Sequence, residues 1–151
     1  MPVEFDFVSA ADKPALLGLS TPELVDSVQT DLTKLGYKVH LAANHGEFLH
    51  RYGQTAYQIV VLEEHFAGSN LTDNESLQAI QNYPMHLRRQ SIFILFGESL
   101  ATFNPMQAFQ LGVHAVVNPA EMFLLGQLVD KAVADNDYFL QTFRDAQRRL
   151  A

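Results

Sequence analysis

The stretch Ile59-Val-Val-Leu62 decides the architecture: four consecutive apolar residues, three of them β-branched, suit a strand covered on both faces. Ile92-Phe-Ile-Leu-Phe96 repeats the pattern. Upstream, Ala15-Leu-Leu-Gly-Leu19 is another short apolar run. Ser20-Thr-Pro-Glu23 follows it as a helix start, with a hydroxyl cap, Pro in the first turn and an acid near the positive end. Leu24, Val28, Leu32 and Leu35 recur at helical spacing until Gly36. Tyr37, Val39 and Leu41 alternate with polar neighbours and read as a half-buried edge strand. Asn44-His-Gly-Glu47 predicts a capping box opening a short helix with Phe48, Leu49 and Tyr52 inward.

Past Leu62, a polar loop over 68–74 leads to a helix carrying Leu77 and Ile80 and ended by Pro84. Asn104-Pro105 starts a short helix with Met106 and Phe109 on one face. Ala115-Val-Val117 is the fifth strand, and Asn118-Pro119 turns into a long last helix. Five strands alternating with five helices predict an α/β, flavodoxin-like fold. Its five-stranded parallel sheet has the order 2-1-3-4-5, helices on both faces and an extended C-terminal helix. The chain divides into an N-terminal segment over 1–13, a domain over 14–134 and an extension of the last helix over 135–151.

The 151 residues suffice for one domain, and 48% hydrophobic content with 11 Phe gives it a core. With no apolar run of about 18 residues, a membrane span is not expected. Zero cysteines exclude a disulfide scaffold, a thiolate zinc site and a cysteine nucleophile. Seventeen acids against ten bases, a net charge of −7, argue against nucleic-acid or anionic-membrane partners. The start Met-Pro-Val-Glu-Phe-Asp-Phe lacks the features of a signal peptide, so a cytoplasmic location is expected.

Over residues 14–134 the chain resembles a response-regulator receiver domain. The resemblance is carried by Pro22-Glu-Leu24, Leu35-Gly-Tyr37, Tyr57-Gln-Ile-Val-Val-Leu62 and Val116-Val-Asn-Pro119 in that order. It implies phosphoryl transfer to an aspartate with Mg²⁺, which needs several carboxylate oxygens around a hard cation. Carried over position by position, the family's acid pair falls on Leu19 and Ser20, or on Ser20 and Thr21 if the register slips by one. The acceptor falls on Glu63, the hydroxyl residue on Phe96, the lysine on Asn118 and the switch aromatic on Ala115. Only Glu63 keeps a carboxylate, so the resemblance implies a degenerate receiver, without phosphotransfer, enzyme activity, metal or cofactor. Glu63 then reads as a fixed negative charge at the old acceptor position, and the family's turn out of strand five implies a cis Asn118–Pro119 peptide.

The second half resembles more tightly an uncharacterised bacterial family in which a receiver-like domain follows a zinc ribbon. Asn74-Glu-Ser-Leu77, Tyr83-Pro-Met-His-Leu-Arg-Arg89 and Thr102-Phe-Asn-Pro-Met-Gln-Ala-Phe109 carry it. A cysteine-free chain cannot supply the ribbon itself.

Other chemistry has weaker support. Glu63-Glu-His65 groups two acids and an imidazole, a candidate metal or cation site, although strand alternation points neighbours to opposite sides. Glu47-Phe-Leu-His50 is a single Glu-x-x-His pair where di-iron bundles need two. His40 and His114 read as packed or edge-exposed, and Arg88-Arg89 as a positive helix end. Neither a nucleophile elbow nor a Gly-x-Gly-x-x-Gly loop occurs.

In the last helix, Met122, Leu125, Val129, Ala132, Asn136, Phe139, Phe143, Ala146 and Leu150 alternate at spacings of three and four, as in a coiled coil. The interaction face expected from this is Asn136, Phe139, Phe143, Ala146 and Leu150, with Asn136 paired across a two-fold axis in a homodimer. The competing arrangement folds Val3, Phe5 and Phe7 back over the same rings. The function expected is protein–protein interaction or dimerisation in bacterial signalling. The alternative is a small-ligand or metal sensor using the crevice around Ser20, Glu63, Phe96 and Asn118.

Overall fold

Period-two alternation distributes each buried strand between two apolar layers. In the computed structural model, which describes residues 12–84 and 90–150 without the side chains of Phe139 and Phe143, Ile59 and Val61 enter one layer while Val60 and Leu62 enter the other. Ile92, Ile94 and Phe96 likewise oppose Phe93 and Leu95. The strands are β1 (Pro14–Gly18), β2 (Lys38–Leu41), β3 (Ile59–Glu63), β4 (Ile92–Phe96) and β5 (Ala115–Val117). All pair in parallel, in the order β2-β1-β3-β4-β5. The predicted topology holds.

The helices described are α1 (Pro22–Lys34), α2 (His45–Gln54), α3 (Glu75–Asn82), α4 (Pro105–Leu111) and α5 (Leu125–Leu150). Leu24, Val28 and Leu32 of α1 pack with Leu125, Leu128 and Val129 of α5 on one face of the sheet. Phe48 of α2, Leu77 and Ile80 of α3 and Ala108 of α4 fill the other. Because every strand runs in the same direction, the loops after β1, β3, β4 and β5 meet at the C-terminal ends of the strands.

Several local expectations need correction. In β2, His40 is buried and Leu41 is 38% exposed, because the His40 Nδ1 meets the buried Tyr57 hydroxyl at 2.8 Å. A partnered imidazole is a better interior group here than a leucine facing the open edge. Met106 and Phe109 do share a face of α4, but it faces solvent, while Ala108 turns inward. At α2 only half of the capping box forms: Asn44 Oδ1 accepts the Glu47 N–H at 2.8 Å, and the Glu47 carboxylate goes to Arg51. The last helix begins at Leu125 rather than directly after Asn118-Pro119, following a 3₁₀ turn over Pro119–Leu124 that holds the seam residue Met122.

α5 is about 39 Å long for its 26 residues, whereas a five-residue strand spans about 17 Å. Its first half covers the sheet and the rest runs past it, as its pattern predicts. Asn136, however, is only 6% exposed. Its side chain is covered within the single chain, where a pair across a two-fold axis would need it open. Phe139 and Phe143 lie outside the described side chains, and Val3, Phe5, Phe7, Arg88 and Arg89 outside the described residues.

Candidate functional site

β3 ends in two acids, and alternation sends them to different loops. Glu63 shares the parity of Ile59 and Val61 and points to the α1 side. Its Oε1 accepts the backbone N–H groups of Ser20 at 2.9 Å and Thr21 at 3.1 Å, and its Oε2 accepts the Thr21 hydroxyl at 2.8 Å. One carboxylate thus closes the β1–α1 loop against the end of β3. Charge-assisted hydrogen bonds of this kind are worth about 1.5–3 kcal/mol each.

This changes the expected role of Ser20-Thr-Pro-Glu23. Thr21 is the residue preceding α1, but its hydroxyl donates to Glu63 and makes no bond to the helix. The negative charge near the helix start comes from β3 as well as from Glu23 in the first turn. Ser20 Oγ, for its part, accepts the Ala67 N–H at 2.8 Å. That bond holds Ala67 in the left-handed region, φ 54°, which a residue with a Cβ rarely adopts.

Glu64 points the other way. Its carboxylate accepts the Ser99 N–H at 3.0 Å and the Ser99 hydroxyl at 2.8 Å, fixing the β4–α4 loop. Gly97 makes this approach possible, because a Cβ there would lie 2.6 Å from Glu64 Oε1. His65 stands beside it, with Nε2 3.8 Å from Glu64 and Nδ1 donating to the Ser69 carbonyl at 3.0 Å. Asn74, fully buried, donates to the carbonyls of both Glu63 and Glu64 and accepts the Leu77 N–H as the cap of α3. Among the described residues, no cluster of three or more His, Asp or Glu side chains could hold a metal ion, so Glu63-Glu-His65 does not form the cation site considered above.

The remaining predicted positions are structural in a similar way. Leu19 and Phe96 are buried in the layer under α1 and α5. Asn118 Nδ2 donates to the carbonyls of Glu98 and Leu100, and its Oδ1 accepts the Ala120 N–H. Its own N–H donates to Thr102 Oγ1 at 2.8 Å. The Asn118–Pro119 peptide is trans, since no cis bond occurs among the described residues. Pro119 opens the 3₁₀ turn with its fixed φ, and Asn118 is already positioned by four hydrogen bonds.

Ser20, Glu63, Phe96 and Asn118 therefore lie at the same end of the sheet, with Phe96 inside the core rather than on the crevice wall. Glu64 was singled out from sequence only within the Glu63-Glu-His65 cluster, and Asn74, Ser99 and Thr102 were not identified as part of this end of the sheet. A doubled acid at a strand end is the signal that points to Glu64; the Ser99 hydroxyl, 35 residues away in the chain, leaves none.

Comparison with solved structures places this architecture. The chain superposes on the chemotaxis response regulator CheY4 of Vibrio cholerae with a TM-score of 0.60 at 12% identity, over 81% of this chain and 99% of that one. A CheY-like receiver domain from Methanospirillum hungatei gives 0.65 at 18% identity, over 85% and 98%. A yeast trimeric coiled-coil segment fused to another protein gives 0.65 at 14% identity, over 95% of each chain. No protein-family model matches the sequence, and no curated protein matches it. The five-stranded parallel sheet, its helices and its long last helix have the fold of the response-regulator receiver domains.

Proposed function

We propose that this protein is a receiver-fold module that takes no phosphoryl group and works in signalling by binding protein from one fixed conformation. The observation that carries the reading is the Glu63 carboxylate, both of whose oxygens are engaged by Ser20 and Thr21. A phosphoryl-accepting site needs Mg²⁺ held by several oxygens and a cation for the developing charge. Here the β1–α1 loop offers N–H donors where that chemistry needs acids, Phe96 replaces a hydroxyl, and Asn118 replaces a lysine. Glu63 bonds directly to the loop that a metal would otherwise bridge, so the loops rest in a single state with no event to switch them.

The part of α5 beyond Asn136 is the contact surface in this reading, most simply in a homodimer in the cytoplasm. Tyr138 and Leu150 are 76% and 89% exposed there, and the likeness to a coiled-coil fusion is consistent with an oligomerising helix. Thermal melts separate the possibilities, because a ligand that binds only the folded state raises the midpoint by mass action. The reading predicts a midpoint that rises with protein concentration and stays put with Mg²⁺ plus beryllofluoride or with transition metals. A rise with beryllofluoride would refute it.

A further inference from the structure

A groove of about 650 Å³ runs along the open edge of the sheet, walled by Pro105, Ala108 and Phe109 of α4 and by Ala132, Asp135 and Asn136 of α5. A smaller hollow continues it, sharing Ala132 and Asp135. Its α4 wall is apolar and wet: Phe109 is 82% exposed and Met106 beside it 62%. The groove lies where the alternating apolar seam of α5 leaves the chain's own sheet.

The charge on α5 is polarised along its length. Residues 125–138 hold three aspartates and one lysine, a net charge of −2. Residues 139–150 hold three arginines and one aspartate, a net charge of +2. Two copies aligned in parallel would set like charge against like. Two copies aligned antiparallel would set each acidic half against the other's basic half, which is the favourable arrangement.

We infer that the groove is the seat for the end of α5 from a second copy of this chain, the two helices pairing antiparallel. This rests on the proposed reading of the protein as an interaction module and specifies its partner. In the register that joins seam positions, Ala132 faces the partner's Leu150. The overlap from Ala132 to Leu150 is about 27 Å, five turns of helix. Leu150, 89% exposed in the single chain, then enters the groove beside Phe109, and the partner's Arg149 comes alongside Asp135. Asp135 already accepts from Lys131 at 2.7 Å, an exposed pair four residues apart that leaves its carboxylate able to take a second donor. The arrangement is isologous, so each contact is made twice.

The absence of native cysteine makes the test direct. Ala132→Cys and Leu150→Cys are made as separate single variants, and sedimentation is first run on the unmodified protein. The inference predicts a dimer, a disulfide-linked pair when the two variants are mixed and oxidised, and no covalent dimer from either alone. Asp135→Arg and Arg149→Asp are each expected to weaken the dimer about fivefold, and the double variant to restore it. A sedimenting monomer at high micromolar concentration would overturn the second copy as occupant. Covalent dimers of each variant with itself, and no cross-linked mixture, would overturn the antiparallel pairing. Neither result bears on whether Glu63 takes a phosphoryl group, which is read separately by mass.

Discussion

Glu63 and Glu64 are adjacent in the chain, yet their carboxylates bind opposite loops: Glu63 reaches Ser20 and Thr21, and Glu64 reaches Ser99. β3 thereby ties the first and fourth loops of the crevice to one another through its last two side chains. Asn74 completes the arrangement from α3 by holding both backbone carbonyls.

Glu63→Gln is expected to keep the fold and loosen the β1–α1 loop. An amide offers one acceptor atom instead of two, so the bonds to the two N–H groups and to the Thr21 hydroxyl cannot all be kept. The loss should be about 1–3 kcal/mol by chemical denaturation, with faster amide exchange at Ser20 and Thr21 and altered partner binding. Unchanged exchange and unchanged binding in the Gln variant would show that the contact holds nothing in place.

Gly97→Ala should be costly for so small a substitution in a loop. The new Cβ would lie 2.6 Å from Glu64 Oε1 and 2.9 Å from Leu100 Cδ1, so the carboxylate must leave Ser99 or the loop must move. A destabilisation of about 1–3 kcal/mol is expected, and little of it should remain when Glu64 is also Ala. Additive costs in the double variant would remove Glu64 from the explanation.

Phe96→Thr restores a hydroxyl at the position where the resemblance implies one. Phe96 is fully buried, so the change removes most of an aromatic ring from the α1–α5 layer and places a polar group in it. A loss of about 3–5 kcal/mol is expected, with no gain of phosphoryl acceptance. A stable Thr variant would mean that the layer is looser than its burial indicates.

Tyr37 sets an alkaline limit on stability. Its hydroxyl is raised above the ordinary value of 10.0 by burial first, then by Asp130 and Asp137 on α5. The folded state therefore keeps a proton that the unfolded chain gives up. The contribution is complete below pH 10 and is lost as pH rises through the folded value. Tyr37→Phe should flatten the fall in melting temperature above pH 10, and an equally steep fall in that variant would assign it to other groups.

The strand order was legible because β3 and β4 are continuous apolar runs and because Gly36, Pro84 and the Asn-Pro pairs mark the breaks between elements. The positions at the crevice were legible for the same reason, since each sits at the end of a predicted strand. What they do there was not. Thr21 reads as a helix cap until a carboxylate 42 residues away competes for its hydroxyl. Asn136 reads as a seam residue open to a partner, yet it is 6% exposed in the single chain. His40 reads as packed or edge-exposed until Tyr57, 17 residues away, supplies the partner that settles it inside. Periodicity reports the face that an isolated element would bury, and long-range partners decide the exceptions.

Whether the end of β3 takes a phosphoryl group is read from the intact mass of the protein after incubation with acetyl phosphate and Mg²⁺. No change in mass is expected, in the unmodified protein and in Glu63→Asp alike, because neither rebuilds the missing acids or the missing lysine. A gain of one phosphoryl group that disappears in Glu63→Ala would contradict it.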